Sequence, residues 1–347
     1  MNIWYYIVRF YVKIGLFFTI KNIEVFGKEN IPKKGATIFI GNHQNALIDA
    51  VLIPTTNTRD ILFLTRASVF KNPLISKILR SLNLIPVYRI RDGKSSLQKN
   101  IEVFKHCFEA LNNQRAIQIF AEGEHHLKRR ILPLKKGFAR IILGTLQKYP
   151  DLDIQIVPVG LNYDTHLNYP FNASIYYGKP IRANDYINPT SPDYSFKELL
   201  DVVRNALKEV TLHIDDLKTY DTNIEKLTAA NINFLNPVEA NNALKNIETL
   251  KPTKISKKIN WFFPIHFITK LNSVFPLLLW KYIKPTISDV IFRNTFRLAI
   301  LATIFPLFHL LQTLVVYLVF NSFYALIYLL ITVLFGIISA KTMQVNS

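Results

Sequence analysis

The chain has 347 residues, 50% of them hydrophobic, and carries 42 Lys and Arg against 24 Asp and Glu, a formal charge of +18. This composition excludes a disordered chain and allows one sizeable globular domain plus a further segment. The basic excess suits nucleic acid or an anionic membrane surface. Long apolar runs close the chain and no zinc-finger or RNP-like spacing appears, so anionic membrane lipids are the expected partner and nucleic acid is not.

Residues 1–21 open the chain with a nearly unbroken apolar and aromatic run, interrupted by Arg9 and Lys13. A signal peptide would place charge before such a run and small residues after it, and neither is present. The segment reads as a helix in the headgroup region, with Trp4, Tyr5, Tyr6 and Tyr11 suited to that depth. The alternative is a helix packed on the domain that follows.

From residue 22 to 214, short apolar runs alternate with longer amphipathic stretches. Strands are expected at Ile23–Phe26, Thr37–Ile40, Ile61–Thr65, Ile85–Arg89, Ala116–Phe120, Ile154–Val159 and Ser174–Tyr177, with helices at Ser95–Leu111 and Gly137–Lys148 among others. The alternation predicts an α/β domain, a mostly parallel sheet flanked by helices. Phe196, Leu199, Leu200, Val203, Leu207 and Val210 mark one further amphipathic helix. The single cysteine, Cys107, shares a helix face with Ile101, Phe104, Phe108 and Leu111 and is read as core filler, with no disulfide available.

Residues 215–258 are polar and read as a helical connector ending in a basic cluster, Lys251, Lys254, Lys257 and Lys258, ahead of Trp261-Phe262-Phe263. Residues 259–347 form a membrane region. Phe262–Trp280 contains Pro264, His266, Lys270 and Asn272 and reads as an interfacial helix. Leu298–Phe320 (298–320) and Phe323–Ser339 (323–339) lack formal charge and read as a transmembrane hairpin. Arg293 and Arg297 before it and Lys341 after it place both ends in the cytoplasm. Pro306, His309 and Gln312 fall within the first span, where packing and hydrogen bonding between helices is the commoner use of such residues.

Four segments carry chemistry. In Gly41-Asn42-His43-Gln44-Asn45-Ala46-Leu47-Ile48-Asp49, a histidine follows a strand and a carboxylate lies just inside the next helix. A histidine held by a carboxylate can accept a hydroxyl proton near neutral pH. On one continuous helix six residues turn through about 600°, so the pair meets only if His43 stays in the turn. Otherwise Asp49 is a first-turn acid favoured by the helix dipole and His43 a surface residue. At Leu84–Gly93, Arg89 and Arg91 leave a strand end with period two and could grip a phosphate monoester, or simply decorate a solvated edge. In Phe120-Ala121-Glu122-Gly123-Glu124-His125-His126, a strand ends in Glu-Gly. Lys128, Arg129 and Arg130 follow, then Leu132-Pro133-Leu134-Lys135-Lys136 before a glycine opens a helix. This makes a plausible anion pocket. Adjacent histidines without HExxH spacing do not suggest a metal. Val157-Pro158-Val159 is an apolar strand end that would suit the lining of an acyl channel, and by itself is only a strand.

The order of these blocks resembles the glycerolipid acyltransferase superfamily (PlsC-like, lysophospholipid acyltransferases), over roughly residues 20–215. The five residues between His43 and Asp49, and Glu122-Gly123 followed by His126 and Leu132-Pro133-Leu134-Lys135, are similar to its H-x5-D branch, the yeast-type glycerol-3-phosphate/dihydroxyacetone-phosphate acyltransferases. Ala121 and Glu124 depart from the usual proline and small residue. The resemblance implies that His43 is the general base and that Asp49 orients it, with no enzyme nucleophile, bound cofactor or metal. It also implies that Asn45, Arg89, Glu122, Gly123 and His126 belong to the glycerol-phosphate site and that Pro158 shapes the acyl side. Charge and location add Arg91, Lys128 and Lys135. The expected activity is O-acyl transfer from acyl-CoA or acyl-carrier protein, as co-substrate, to 1-acylglycerol 3-phosphate. Alternatives are glycerol 3-phosphate or dihydroxyacetone phosphate, another lipid acceptor, or a non-catalytic lipid-binding protein. The expected location is the membrane, multi-pass, with the catalytic domain on the cytoplasmic face.

Overall fold

The computed structural model describes residues 3–88, 94–188, 191–253 and 259–344. Strands β1 (Ile23–Phe26), β2 (Ala36–Gly41), β3 (Ile61–Arg66), β4 (Leu84–Val87), β5 (Ala116–Ile119), β6 (Ile154–Tyr163), β7 (Ala173–Tyr177) and β8 (Ile181–Arg182) form one sheet in the order β1-β7-β6-β2-β5-β3-β4, with β8 beside β6. Every pairing from β6 through β2, β5 and β3 to β4 is parallel, as is β1 with β7; β6 meets β7 and β8 antiparallel. The sheet is therefore mostly parallel, as expected. Its two central strands, β2 and β6, are buried on both faces, which explains their continuous apolar reading.

Two helical layers cover the sheet. On one face, α4 (Lys94–Asn112), α5 (Gly137–Lys148) and α6 (Pro192–Val210) bury Leu111, Phe138, Ile142, Leu199, Val203 and Leu207 against Ile38, Ile40, Ile117 and Ile156. Cys107 lies fully buried in this layer, where burial pushes its thiol up to about 12, as suits core filler. On the other face, α1 (Ile3–Thr19) and α2 (Ala46–Thr56) bury Leu16, Ile48, Leu52 and Ile53 against Phe39, Val157, Leu161 and Tyr163.

Helix α1 was read as interfacial, and only one side of it is free to be so. Its buried side closes the second core layer, and Gly15 lets it approach Leu298 and Ala302. Ile3, Trp4, Ile7, Phe10, Ile14 and Phe17 remain exposed on its other side. Tyr11 is not a free belt residue, because its hydroxyl donates to the Ala302 carbonyl.

After α6 come α7 (Tyr220–Ala229) and α8 (Pro237–Lys245), with a small core of Leu212, Ile214, Tyr220, Leu227 and Ala240. Of the basic cluster before Trp261, Lys254, Lys257 and Lys258 lie outside the described residues. The chain then forms α9 (Phe263–Asn272), α10 (Val274–Ile283), α11 (Arg293–Val319) and α12 (Ser322–Thr342). The spans 290–319 and 322–342 are long and apolar enough to cross a membrane. Only 6% and 11% of their most apolar windows is buried in the protein. An apolar surface of that extent is poorly suited to water. At the far end, the Lys341 ammonium donates to the carbonyls of Phe17, Ile20 and Lys21, closing the C-terminus of α1.

The single interfacial helix expected over Phe262–Trp280 is corrected to a broken pair. His266 Nδ1 lies 3.2 Å from Ser339 Oγ and Asn272 Nδ2 3.3 Å from Thr332 Oγ1, so α9 runs antiparallel to α12. Ser273 Oγ meets His309 Nε2 at 3.3 Å and the Arg297 guanidinium covers the Trp280 ring, so α10 returns antiparallel to α11. The twelve-residue step from Arg297 to His309 corresponds to about 18 Å of helix, so the pair runs well along the two long helices before returning. A helix broken between apolar neighbours must satisfy its freed backbone groups within the protein. Gln312 does so, donating to the Asn272 carbonyl at 3.2 Å, and Tyr328 donates to both Asn272 and Gln312. The polar residues of the first span therefore serve helix packing.

One buried cation ties the strand-entry end of the sheet together. The Arg59 guanidinium donates to the carbonyls of Pro32 (2.5 Å), Gly35 (2.6 Å) and Gln114 (2.9 Å) and to Thr37 Oγ1 (3.1 Å). Arg59→Leu strands these acceptors and is expected to cost about 3 kcal/mol, read as a lowered thermal midpoint of the detergent-solubilised protein. An unchanged midpoint would show the clamp to be dispensable.

Candidate active site

The carboxyl ends of the central parallel strands meet at one place, where the β2–α2 turn and the loop after β5 converge. Strand β2 ends at Gly41 and α2 begins at Ala46, leaving residues 42–45 as the turn. Asn42 pins this turn to β6 by a reciprocal pair, accepting from Leu161 N at 2.7 Å and donating to Leu161 O at 2.9 Å. His43 thus stays off the helix, while Asp49 lies in its first turn, and the two meet at 2.9 Å, Nδ1 to Oδ2. Ala46 adopts φ 43°, a left-handed conformation unusual for a residue with a Cβ.

Asp49 is fully buried and accepts four bonds. Its Oδ2 takes His43 Nδ1, Gln44 N (2.7 Å) and Asn45 N (2.6 Å), and its Oδ1 takes the Tyr163 hydroxyl at 2.5 Å. A buried carboxylate held by three other donors is ionised and can only accept. Nδ1 must therefore carry the proton, and the free lone pair of His43 is on Nε2. Burial, then the Asp49 charge, holds the Tyr163 phenol well above its ordinary range, so it remains a donor throughout working pH. The imidazole stacks on Phe120, with centroids 4.1 Å apart and planes 7° apart.

Glu122 is the second fully buried carboxylate, and both of its oxygens are occupied. Oε1 accepts His43 N at 3.3 Å; Oε2 accepts Leu132 N at 3.0 Å and faces His126 Nε2 at 2.8 Å. It ties the loop after β5 to the histidine turn, and His126 N closes the ring by donating to His43 O at 3.1 Å. Glu122 and His126 are thus placed to hold His43 from behind, and neither carboxylate oxygen is free for a ligand. Gly123 adopts φ +74°, and a Cβ there would come 3.1 Å from Lys135 Cγ.

The remaining expected site residues separate. Lys135 is exposed and lies over Gly123, at the mouth of the loop. Lys128 turns its ammonium onto the Tyr220 ring, and only its carbonyl joins the site, accepting from Gln44 Nε2. Arg129 is a structural cation, donating to the carbonyls of Tyr163 (2.8 Å) and Asp164 (3.0 Å); burial pulls its pKa down to about 10. Pro158 lies within β6, buried, beside Ile40. There β6 passes from β8 to β7, and its carbonyl accepts from Gly178 N. The structure does not bring it to the His43–Asp49 pair. Arg89 and Arg91 lie outside the described residues.

The start of α11 completes the site. Asn294 donates to Asn45 Oδ1 (3.2 Å) and His166 O (2.9 Å), Arg297 donates to Asn294 Oδ1, and Leu47 N donates to Thr295 Oγ1. His125 sits between His43 and Phe292, edge-on to both rings, with Nε2 3.3 Å from Asp289. Tyr163, Asn294 and Thr295 carry no sequence signal that would single them out. Tyr163 closes an apolar strand, and the other two lie some 250 positions from Asn45 and Leu47, which they touch.

His166 lies behind the turn, with Nε2 3.1 Å from Gln44 Oε1. Burial, then the nearby Arg129 and His126, lowers its pKa well below 6.5. The unfolded chain takes up a proton there near pH 6.5 and the folded chain does not. Stability is therefore complete above about pH 6.5 and falls as pH drops below it. The thermal midpoint should fall between pH 7.5 and 5.5, and His166→Gln should lessen that fall; an equal fall in the variant would contradict the assignment.

Residues 22–162 match the family model described as Acyltransferase. Glycerol-3-phosphate O-acyltransferase 1 of Saccharomyces cerevisiae is 36% identical over 122 residues, 34% of this chain and 16% of that protein. The 1-acyl-sn-glycerol-3-phosphate acyltransferase of Borreliella burgdorferi is 26% identical over 205 residues, 58% of this chain and 76% of that protein. Among solved structures, the 1-acyl-sn-glycerophosphate (LPA) acyltransferase PlsC from Thermotoga maritima aligns with a TM-score of 0.41 at 20% identity, covering 59% of this chain and 80% of that one. The chain thus spans a small fraction of the yeast relative and most of the bacterial one. Over the stretch that the Acyltransferase model matches, the chain is similar to glycerol-3-phosphate and 1-acylglycerol-3-phosphate acyltransferases.

Proposed function

We propose that the protein transfers a fatty acyl group from a thioester, acyl-CoA or acyl-carrier protein, to a hydroxyl of a glycerol-phosphate lipid precursor. The observation that carries this reading is the His43–Asp49 pair, with a tautomer that leaves Nε2 free at the mouth of the site. His43 Nε2 takes the acceptor hydroxyl proton as the oxygen attacks the thioester carbonyl. Asp49 stabilises the imidazolium so formed without taking the proton itself. The tetrahedral intermediate then expels the thiolate, and His43 returns the proton to sulfur. The chemistry is complete without an enzyme nucleophile.

Lys135, with Arg89 and Arg91, supplies the positive charge for the acceptor phosphate, and Gly123 gives it room over the loop. Asn45, Glu122 and His126 act on the acceptor through His43 and its turn. The acceptor we favour is 1-acylglycerol 3-phosphate, because the site rests on the first residues of an apolar hairpin and would open at lipid. The higher identity to the yeast enzyme named for glycerol 3-phosphate favours that acceptor as a second reading. The two apolar helices support a multi-pass reading, and the flanking Arg293, Arg297 and Lys341 support a catalytic domain on the cytoplasmic face.

The test is acyl transfer by the purified, reconstituted protein offered a labelled donor and each acceptor in turn. His43→Ala is expected to lose at least ~10²-fold with every acceptor while retaining the wild-type thermal midpoint. Undiminished transfer by that variant would overturn the assignment, and the acceptor with the highest kcat/KM decides between the two readings.

A further inference from the structure

Helix α3 (Pro73–Ser81) has no buried residue, although its sequence is strongly two-sided. At 100° per residue, Leu74, Ile78, Leu82, Ile75 and Leu79 fall within one 140° sector, opposite Ser76, Lys77 and Arg80. The helix is well formed. Asn72 caps it by accepting from Leu74 N and Ile75 N, and Pro73 occupies its first turn. Yet Leu74 is 68% exposed, Ile75 48% and Ile78 45%, with Val69 exposed beside them. No acidic residue occurs from Ile61 to Arg91, while Arg66, Lys71, Lys77 and Arg80 do.

We propose that residues 69–80 form a second membrane-docking surface. Leu74, Ile75 and Ile78 enter the boundary between headgroups and acyl chains, and Lys71, Lys77 and Arg80 meet anionic headgroups. Two observations select a bilayer as the occupant. The first is charge: an exposed apolar sector whose own segment carries cations and no acid matches an anionic lipid surface. The second is continuity. Trp4 Nε1 donates to Ser81 Oγ at 3.2 Å, and Ser81 lies on the Leu74 edge of α3, so the exposed faces of α1 and α3 adjoin. At its other end, α1 crosses the hairpin beside Leu298, Ala302 and Gly336. From Thr19 to Trp4 is about 22 Å of helix, which puts α3 at a distance from the hairpin as a second foothold.

Two separated footholds lay the β4 edge of the sheet along the lipid surface. A groove of about 810 Å³ runs beside that edge, lined by Leu84, Ile85, Tyr88, Lys99, Val103 and Arg80 among others. Docking of α3 brings this groove to headgroup level. The proposal rests on the membrane reading of the hairpin, and its test separates the two.

The full chain is labelled at Ile75→Cys with an environment-sensitive thiol fluorophore in a Cys107→Ser background. It is reconstituted in phosphatidylcholine vesicles containing phosphatidylglycerol, with or without spin-labelled lipid. Leu311→Cys in the hairpin and Lys218→Cys on the polar connector are measured in parallel. The expected result is spin-label quenching of at least half at positions 75 and 311 and none at 218. Adding Lys71→Glu and Lys77→Glu should then lower quenching at 75 and leave 311 unchanged. Quenching at 311 without quenching at 75 overturns the docking surface, including where 75 is shielded from aqueous quencher by a protein contact. Absence of quenching at both positions overturns the membrane reading and this proposal with it.

Discussion

A fully buried carboxylate must be bonded on every side or give up its charge, and the Asp49 carboxylate is bonded on every side. Its donors come from the histidine ring, from two backbone amides of the β2–α2 turn, and from a tyrosine at the end of β6. Desolvating an ion costs several kcal/mol, and four donors offset that cost only if turn, helix and strand hold their positions together. The arrangement sets the tautomer of His43 and couples the site to the centre of the sheet. Much of the surrounding structure follows from keeping those donors in place: Asn42 clamps the turn to β6, and Arg129 holds the carbonyls at the strand end from which the tyrosine projects.

Glu122 does for the backbone of His43 what Asp49 does for its ring. The resemblance to glycerolipid acyltransferases placed Glu122 at the acceptor. Its burial and its three partners make it a brace between the loop after β5, the Leu132 segment and the histidine turn. A brace of this kind transmits the position of Gly123 and Lys135, which do face outward, to the base. The first turn of α11 presses on the same turn through Asn294 and Thr295, so a helix suited to lipid and the acid–base pair share one set of hydrogen bonds. On the proposed reading, a lipid-borne acceptor and the residue that deprotonates it are thereby held to one frame.

The parts legible in the sequence are those with local causes. Strands β2 and β6 announced themselves as continuous apolar runs because both faces are covered. The Gly41-Asn42 turn made the His43–Asp49 meeting possible on spacing alone. The hairpin followed from the length of its uncharged runs. The parts not legible depend on tertiary partners. Tyr163 is indistinguishable in sequence from any aromatic closing a buried strand. Arg129 and Lys128 are neighbours in one basic loop, yet one is buried against β6 and the other rests on a ring. The break at Asn272-Ser273 looked like polarity unsuited to a membrane, because its partners, Gln312 and Tyr328, lie on other helices. In α3 the two-sided pattern was present, but only its lack of a buried residue shows that none of the described residues covers it.

The central claim is that Asp49 holds His43 with its proton on Nδ1 and its lone pair on Nε2. Nitrogen-15 NMR of histidine-labelled protein in detergent or bilayers reads this directly, with His43→Gln used to assign the resonances. The account predicts, above the imidazole titration, a protonated, pyrrole-like Nδ1 and an unprotonated, pyridine-like Nε2 for His43. It also predicts that Asp49→Asn reverses or mixes this pattern. A His43 protonated on Nε2 in the unaltered protein would contradict it.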